Sequence, residues 1–163
     1  MVASTWYTLY ASPLGTLLMT SDGEAITRLA FEAAPDLTWR RNDAWFAGVR
    51  VQLDAYFAGE WRAFDVALRP EGSPFQQRVW AVLQAIPYGQ TTTYGELAAR
   101  LGDPGAVRAV GQANRRNPIA ILIPCHRVVG ADGTLTGYAG GLDRKRVLLA
   151  LEQGHGRQGR LFG

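Results

Sequence analysis

The sequence predicts an α/β protein in two parts, a sheet-plus-helix part followed by a mainly helical part. Residues 5–31 hold three short β-rich runs, separated by the turn-forming sequences Ser-Pro-Leu-Gly and Ser-Asp-Gly. After residue 73 the pattern becomes that of four successive helices. With 163 residues and 47% hydrophobic side chains, the chain can bury one good core or two small ones that share an interface.

In the N-terminal part, the β-rich runs predict strands over 6–10, 16–20 and 25–31. Apolar residues at helical spacing predict a helix over 43–58, which a glycine then ends. Alternating apolar residues predict one more strand over 64–68. Residues 69–72 have the composition of a linker, so the first domain is expected to span residues 1–72.

The C-terminal part opens with a clear helix start. Ser73 can cap, Pro74 suits the first helical position, and Gln76 completes a capping box. Further helices are predicted over 94–101, 106–115 and 142–153. The segments between them predict a short buried extended run over 119–123 and a Gly-rich loop over 137–141. This second domain is expected to span 73–154 and to be followed by a flexible tail, 155–163.

Charge is distributed unevenly along the chain. Residues 1–73 carry 6 basic and 9 acidic side chains, whereas residues 101–163 carry 9 basic and 4 acidic ones. A basic C-terminal part beside an acidic N-terminal part favours a polyanion bound on one side only. No run approaches the roughly 18 apolar residues of a membrane span, and the start lacks the features of a secretory signal. We therefore expect no membrane partner and a reduced, cytoplasmic setting.

Cys125 is the only cysteine of the chain. A lone thiol forms no intramolecular disulfide, and two histidines are too few for an ordinary Cys/His zinc cage, so no metal is expected. The loop over 137–141 lacks the Gly-Lys-Ser/Thr ending of a phosphate loop, so no nucleotide or methyl-donor cofactor is expected either. The thiol is then either buried and inert or reactive, and the residues alone leave both open.

A reactive thiol would have to be activated, because a free thiol with a pKa of ~8.5 is only slightly ionised at neutral pH. Neighbours in a regular helix or strand point apart. Contact between Cys125 and His126 therefore needs a sharp turn, which Pro124 favours, or a bridging water. Glu152 on the last helix is the best candidate for an acid that orients the imidazole. A cysteine hydrolase has no other support in the sequence.

The two short helices over 94–101 and 106–115 flank a Gly/Pro turn and have helix-turn-helix proportions, although an ordinary helical hairpin gives the same pattern. Small side chains line one stripe of the second helix: Ala106, Ala109 and Ala113. Such a face can approach a narrow groove closely but reads few base edges. Arg108 is then available as a wedge or a phosphate clamp. Its long polar companions are Gln112, Asn114 and Arg115. We predict DNA binding with weak sequence preference.

The C-terminal part also carries a series of short motifs: Pro74-Phe75-Gln76, Ile86-Pro87-Tyr88-Gly89, Thr93-Tyr94-Gly95, Arg108-Ala109-Val110-Gly111, Asn117-Pro118, Ile123-Pro124-Cys125-His126-Arg127-Val128 and Gly137-Tyr138-Ala139-Gly140-Gly141. Together with Glu152, this series closely resembles the O6-alkylguanine-DNA alkyltransferase family. The resemblance is dense over 73–154. It is looser in the N-terminal part, where Ser12-Pro13-Leu14-Gly15 and Ala55-Tyr56-Phe57 look similar.

This resemblance implies a suicide repair reaction on double-stranded DNA that contains O6-alkylguanine. The protein would bind the minor groove through its helix-turn-helix, flip the damaged guanine out and accept the alkyl group irreversibly on the Cys125 sulfur. It also implies a ribonuclease-H-like N-terminal domain and a protein that is monomeric in solution. The sequence leaves open the range of alkyl groups, the repair of O4-alkylthymine and cooperative packing on DNA.

The resemblance further implies a role for each matching residue. In the reaction, Cys125 would be the nucleophile, His126 would act as the base through a water, and Glu152 would orient His126. Tyr94 would donate a hydrogen bond or a proton to the departing guanine. Asn117 would stabilise the turn between the recognition helix and the active site. Expected DNA contacts are Thr93, Ala106, Arg108, Ala109, Gln112, Ala113 and Arg115, with Arg108 filling the gap in the base stack. The guanine pocket would use the backbone of Cys125, Val128 and Ala139, together with Asn114 and Tyr138.

Two departures from the family pattern bear on these expectations. Some members carry serine where Ala139 stands; because the expected contact is a backbone N–H, activity should survive. Other members hold zinc through N-terminal cysteines and histidines that this chain lacks. An alternative of a different class is a non-enzymatic protein that binds the lesion and flags it for other repair factors. Alkyltransferase-like proteins of that kind lack the cysteine, so the presence of Cys125 favours the enzyme.

Overall fold

The computed structural model describes residues 4–154, and their secondary structure confirms the predicted α/β class. A sheet with one helix comes first, and a mainly helical part follows. The tail expected over 155–163 lies outside the described residues. Among residues 4–154, no helix combines the length and the apolar composition that crossing a membrane would require.

The N-terminal part is built on a four-stranded sheet of order β3-β2-β1-β4. Its strands are β1 (Trp6–Ser12), β2 (Gly15–Ser21), β3 (Ile26–Phe31) and β4 (Arg40–Arg41). The first three are antiparallel neighbours, whereas the two-residue β4 pairs parallel with β1. Helix α1 (Ala47–Phe57) follows, and its Leu53 and Tyr56 share one buried cluster with Leu17 and Met19 of β2.

Two predictions for this part need correction. The helix begins at Ala47 rather than at residue 43, because the backbone over 43–46 forms turns, with Phe46 N–H donating to Asp43 O and Ala47 N–H to Ala44 O. In place of the strand expected over 64–68, this segment forms one isolated β-bridge, between Leu68 and Ile26 of β3. Alternating apolar residues fit this segment because it packs against the core, although it pairs with β3 at only one point.

The C-terminal part contains α2 (Pro74–Gln84), β5 (Thr92–Thr93), α3 (Tyr94–Arg100), α4 (Val107–Arg115), β6 (Val128–Val129) and α5 (Leu142–Glu152). The predicted capping box is confirmed at α2: Ser73 Oγ accepts from Gln76 N at 3.2 Å, and Gln76 Oε1 accepts from Ser73 N at 2.9 Å. Helix α4 packs against both α2 and α3. The Trp80 indole of α2 donates to the Ala113 carbonyl of α4 at 2.8 Å.

The extended run expected over 119–123 is wrong, because this segment is a buried turn. Ile123 N–H donates to Ile119 O, and Ile121 adopts a positive φ of 69°. That backbone conformation is strained for a β-branched side chain. The turn is tied to β3, since Leu29 N–H donates to Pro118 O and Ala120 N–H donates to Leu29 O. The N-terminal sheet therefore fixes the segment that leads to Cys125.

Strands β5 and β6 form a short parallel pair, with Thr92 opposite Val128 and Thr93 opposite Val129. This pairing holds the chain that leaves Cys125 against the chain that enters α3. Two-residue strands carry no periodicity, so the sequence pattern did not predict them.

Candidate active site and DNA-binding face

Cys125 opens a one-turn 3₁₀ helix, Cys125–Arg127, which directly follows Pro124. Cys125 is only 4% exposed, yet it lines a cavity of about 300 Å³. The other walls come from residues 28–31 of β3, from residues 117, 118 and 120, from residues 138–140, and from Arg144. The sole thiol of the chain therefore lies at a cavity that both halves of the protein build.

Burial raises the pKa of the Cys125 thiol to about 11. A hydrogen bond from the Asn117 side chain and the positive charge of Lys145 oppose this increase but do not cancel it. Because one pKa unit corresponds to about 1.4 kcal/mol, ionising this thiol at pH 7 costs about 5 kcal/mol. The site holds a protonated thiol at rest, so a base has to take part in any nucleophilic reaction.

The structure brings the predicted acid and imidazole together. His126 Nε2 lies 2.7 Å from Glu152 Oε2, and their side chains are 0% and 1% exposed. The other ring nitrogen, His126 Nδ1, has no hydrogen-bond partner among residues 4–154. A carboxylate at Nε2 favours a proton on that nitrogen and leaves Nδ1 able to accept one. The sharp turn that Pro124 was expected to favour is present.

Glu152 receives two further partners that the sequence did not indicate in this role. Arg127 donates from Nε to Oε1 at 2.7 Å and from Nη2 to Oε2 at 3.0 Å, and the Tyr56 hydroxyl donates to Oε2 at 2.6 Å. Burial acts to raise the pKa of Glu152, but electrostatic attraction to His126 and Arg127, and the hydrogen bonds from both, outweigh it and hold the pKa well below its usual range. Glu152 is therefore a carboxylate.

Lys145, the sole lysine of the chain, is fully buried in α5. Its Nζ donates to the Thr136 carbonyl at 2.6 Å, and no carboxylate within residues 4–154 pairs with it. Burial lowers its pKa to about 8, although the electrostatic interaction with Cys125 acts in the opposite direction. No sequence pattern marks a buried lysine, because a helical lysine is ordinarily exposed.

Asparagines support the cysteine turn from two sides. Asn117 Nδ2 donates to Ile123 O at 2.8 Å and its Oδ1 accepts from Ile119 N at 3.0 Å, so its side chain spans the turn. Asn114 is 2% exposed, and its Nδ2 donates to Cys125 O at 3.3 Å. Asn114 thus supports the cysteine backbone, and its expected contact with substrate stays a prediction.

The Gly-rich loop forms the opposite wall of the cavity. Tyr138 is 9% exposed and meets Phe31 of β3 edge-on, with ring centroids 6.3 Å apart. Ala139 lines the same cavity and is exposed, whereas Val128 is buried at the start of β6. The Tyr94 hydroxyl donates to Thr136 O at 3.3 Å, and so lies against the start of this loop.

The exposed face of α4 carries a subset of the predicted DNA-contacting residues: Arg108, Ala109, Gln112 and Arg115. Ala113 is 2% exposed and Ala106 packs against the core. The expectation that these two alanines share an exposed stripe with Ala109 is therefore wrong. Positions seven apart share a helix face, and packing on α2 and Trp80 selects that face as the buried one. Val107, 41% exposed, was not predicted on the outer face. Thr93 caps α3, where its hydroxyl accepts from Glu96 N at 3.1 Å.

These features define a class of protein: an α/β protein in which a helix-turn-helix adjoins a cavity that contains a buried cysteine beside an imidazole–carboxylate pair. Family models account for nearly all of the described chain. The 6-O-methylguanine DNA methyltransferase DNA binding domain matches residues 74–154, and the ribonuclease-like domain of the same family matches residues 5–70.

Individual relatives agree with the family models. The methylated-DNA–protein-cysteine methyltransferases of Mycolicibacterium paratuberculosis and Methanosarcina acetivorans are 54% and 52% identical to this chain over 153 residues. They cover 91% and 90% of it, which corresponds to 93% and 97% of their own lengths. The crystal structure of Mycobacterium tuberculosis O6-methylguanine methyltransferase has a TM-score of 0.85 at 50% identity, over 91% of this chain and 93% of its own. The same organism's OGT in complex with DNA has a TM-score of 0.86 at 52% identity, over 91% and 92%.

The chain therefore belongs to the 6-O-methylguanine DNA methyltransferase family, as its motifs predicted. The predicted enzyme class, a methylated-DNA–protein-cysteine methyltransferase, is likewise confirmed. The family match also includes a DNA-binding domain over residues 74–154.

Proposed function

We propose that this protein repairs O6-alkylguanine in duplex DNA by moving the alkyl group onto Cys125, once per molecule. The observation that carries the proposal is the position of the chain's sole thiol. Cys125 lines a cavity and is followed directly by a buried imidazole that a carboxylate holds at 2.7 Å. The relatives share the name methylated-DNA–protein-cysteine methyltransferase, which describes a protein cysteine that accepts a methyl group from methylated DNA.

The reaction proceeds as a displacement at the alkyl carbon. His126 Nδ1 takes the thiol proton through a water, and the Glu152 carboxylate stabilises the resulting imidazolium. The sulfur forms a bond to the alkyl carbon, and the bond from that carbon to guanine O6 breaks. The electron pair stays with the guanine, which accepts a hydrogen bond or a proton from Tyr94. The proton held by the imidazolium then returns through solvent to the guanine, or to Tyr94 where Tyr94 gave its own, so that thiol and alkylguanine become a thioether and neutral guanine.

A protonated resting thiol fits a single-use protein. With a pKa of about 11, Cys125 gains nucleophilicity only when His126 withdraws its proton, which limits wasteful alkylation by other electrophiles. The product thioether has no route to hydrolysis, so no second turnover occurs. In this scheme Asn117 holds the turn before the cysteine, and Tyr138 walls the guanine site, where Val128 and Ala139 offer backbone groups.

Delivery of the base depends on the face of α4. Its exposed residues Ala109 and Gln112 permit close approach to the minor groove, and Arg108 fills the space that the extruded guanine leaves. Flipping costs a few kcal/mol and costs least for a weakly paired, damaged base, which gives selectivity without a base-reading helix. We further propose that residues 1–72 and 73–154 are separate domains, and that the protein acts as a monomer on duplex DNA.

Peptide mass spectrometry tests the transfer directly. After incubation with duplex DNA containing O6-methylguanine, the Cys125 peptide should gain one methyl group, and the gain should stop at one per protein molecule. Cys125→Ser should bind the duplex and show no transfer. A modified peptide elsewhere in the chain, or repeated turnover by one molecule, would contradict the proposal.

A second candidate function is lesion binding without chemistry, and the high pKa of the buried thiol favours it. In that case the protein would mark alkylated DNA for other repair factors. Tight binding to the lesion-bearing duplex with an unmodified Cys125 peptide, under conditions that keep the protein folded, would support this function over alkyl transfer.

A further inference from the structure

Tyr56 of α1 donates its hydroxyl hydrogen to Glu152 Oε2 at 2.6 Å, across 96 positions of sequence. Tyr56 is fully buried, and the Glu152 side chain is 1% exposed. This hydrogen bond joins the N-terminal sheet-plus-helix part to the last helix of the C-terminal part. Because hydrogen bonds to charged groups are stronger than those between neutral groups, the loss of this one is expected to be measurable.

The oxygen that accepts this bond is the one that holds the imidazole. His126 Nε2 lies 2.7 Å from Glu152 Oε2, and Arg127 Nη2 lies 3.0 Å from the same atom. Burial, together with the nearby Glu152 charge, raises the pKa of the Tyr56 phenol well above its usual value. Tyr56 therefore keeps its proton and remains a donor at any pH near neutrality.

The Tyr56 ring has little freedom to move. Its centroid lies 5.3 Å from Phe57, 5.3 Å from Phe64 and 6.2 Å from Tyr88, and the last of these residues belongs to the C-terminal part. Aromatic contacts at these separations are favourable beyond simple burial. The fold therefore presents the hydroxyl to Glu152 from a fixed position, as a preorganised site requires.

We propose that Tyr56 is a positioning residue of the alkyl transfer: its hydroxyl fixes the Glu152 carboxylate in the orientation that holds His126 for uptake of the Cys125 proton. The inference rests on the proposed function of that site. It also gives the N-terminal part a role in the chemistry, because α1 completes a relay whose other members lie in residues 125–152.

The charged and titratable groups around the relay determine the expected pH response. They are Arg127 beside Glu152, Tyr56 from α1, Tyr138 from the Gly-rich loop, and Lys145 from α5, which acts on Cys125. Removing the Tyr56 hydroxyl leaves more of the carboxylate charge for His126. The acid limb of the rate profile should therefore move to higher pH, because the carboxylate then favours the proton-loaded form of the relay more strongly.

The test compares two Tyr→Phe variants of the full chain. Tyr56→Phe removes the bond to Glu152. Tyr10→Phe removes a tyrosine–carboxylate bond between a buried tyrosine and the exposed Asp54 on α1, and neither Tyr10 nor Asp54 lines the cavity at Cys125. Each variant is assayed for transfer from the free base O6-benzylguanine across the pH range, so that DNA binding does not enter the rate. Thermal unfolding of each variant is measured alongside.

For Tyr56→Phe we expect the second-order rate constant at neutral pH to fall about tenfold, as for other residues that orient a functional side chain. The midpoint of the acid limb should move to higher pH, whereas Tyr10→Phe should lose stability and keep the wild-type midpoint. In a Glu152→Gln background, which lacks the carboxylate charge, adding Tyr56→Phe should change the rate less than twofold, because both changes act through one group.

The outcomes separate the two ideas. If wild-type protein transfers the benzyl group while Tyr56→Phe matches Tyr10→Phe in rate and midpoint, Tyr56 has no positioning role and the proposed function stands. Full additivity of Tyr56→Phe with Glu152→Gln would likewise remove the positioning role. If wild-type protein leaves Cys125 unmodified, alkyl transfer and the role of Tyr56 are both rejected.

Discussion

Arg127 and Glu152 form an ion pair inside the protein, with Arg127 Nε 2.7 Å from Glu152 Oε1 and side chains that are 8% and 1% exposed. Removing one member of a buried pair leaves the other charge without compensation, which destabilises a protein by about 3–5 kcal/mol. We expect Glu152→Ala to lower the free energy of unfolding by this amount at pH 7. Urea denaturation measures it, and exposed Asp143→Ala, which breaks a surface pair with Arg146, serves as control.

The contribution of Glu152 should also depend on pH with a definite sign. Its pKa is lowered in the folded protein from an unfolded value near 4.5, so the unfolded chain takes up a proton that the folded one refuses. The stability that this carboxylate contributes is fully present above that unfolded value and is lost as the pH falls through the folded pKa. The stability gap between wild-type protein and Glu152→Gln should therefore narrow below about pH 4.5. A gap that stays constant from pH 7 into acid would contradict this.

Lys145 gives a prediction of the same sign at higher pH: the stability of wild-type protein again rises with pH, here because a penalty disappears. Burial lowers its pKa from 10.5 to about 8, so between these values the unfolded chain binds a proton that the folded chain lacks. Folding is therefore penalised below pH 8, by about 3 kcal/mol, and the penalty disappears as the pH rises to 10.5. Lys145→Met removes this dependence. Between pH 7 and 10.5 the wild-type protein should therefore gain up to about 3 kcal/mol of stability that the variant does not gain.

The same variant should change the reactivity of the thiol. The Lys145 charge, which is present below pH 8, favours ionisation of Cys125 against the effect of burial, so Lys145→Met should slow alkylation of Cys125 by iodoacetamide at pH 7. Arg146→Met removes a neighbouring charge whose side chain is 64% exposed, and it should leave both the alkylation rate at pH 7 and the pH dependence of stability unchanged. Equal behaviour of the two variants would mean that Lys145 does not act on the thiol.

Local rules predicted the parts of the fold that local contacts determine. The α2 capping box depends on Ser73 and Gln76, three positions apart, and the sequence displays both. The apolar run over 119–123 showed burial but not conformation, since buried strands and buried turns contain the same residues. Ala113 was assigned to the wrong face because the packing of α4 on Trp80, 33 positions away, determines which stripe is buried.

The candidate site likewise contains contacts that the sequence indicated and contacts that it did not. Motif resemblance indicated the pairing of His126 with Glu152, and the structure places these two residues in contact. It did not indicate the Tyr56 bond to Glu152, which depends on how two parts of the chain pack. The burial of Lys145 is likewise a result of tertiary packing. Such contacts leave no periodic or local signal, so coordinates were needed to find them.

Gly140 lies against the rings of Phe31 and Tyr138, and both rings line the cavity. The absence of a side chain at this position therefore matters for the shape of the cavity. A Cβ at this position would lie 2.7 Å from both the Phe31 ring and the Tyr138 ring. Gly140→Ala should therefore force these rings apart or into the cavity, with an overpacking cost of about 1–3 kcal/mol. We expect slower transfer, more so from O6-benzylguanine than from O6-methylguanine in duplex DNA, because the larger group needs more of the cavity.

Ala139→Ser is the matched control for that change. Ala139 is exposed at the rim, and its expected contribution is a backbone N–H, which serine retains. This variant should transfer both alkyl groups at rates close to wild type. If Gly140→Ala were equally active on the two substrates, the rings of Phe31 and Tyr138 would not limit the space for the alkyl group.

Arg108 on the exposed face of α4 should matter only when the base has to leave a duplex. Filling the gap offsets part of the few kcal/mol that flipping costs, so Arg108→Ala should slow repair of duplex DNA about tenfold or more. Its rate with free O6-benzylguanine should stay at the wild-type value, because no base is flipped. Arg116→Ala, at an exposed position just beyond α4, is the matched control.

Salt dependence separates the two ways in which Arg108 can act. A phosphate clamp releases a counterion, so its loss should reduce the slope of log binding constant against log salt by about 1. A wedge touches bases rather than phosphates, so Arg108→Ala should weaken repair and leave that slope unchanged. We expect the unchanged slope, since the small Ala109 beside it lets α4 come close enough for the side chain to enter the stack. Equal losses on duplex and free base would remove Arg108 from base flipping altogether.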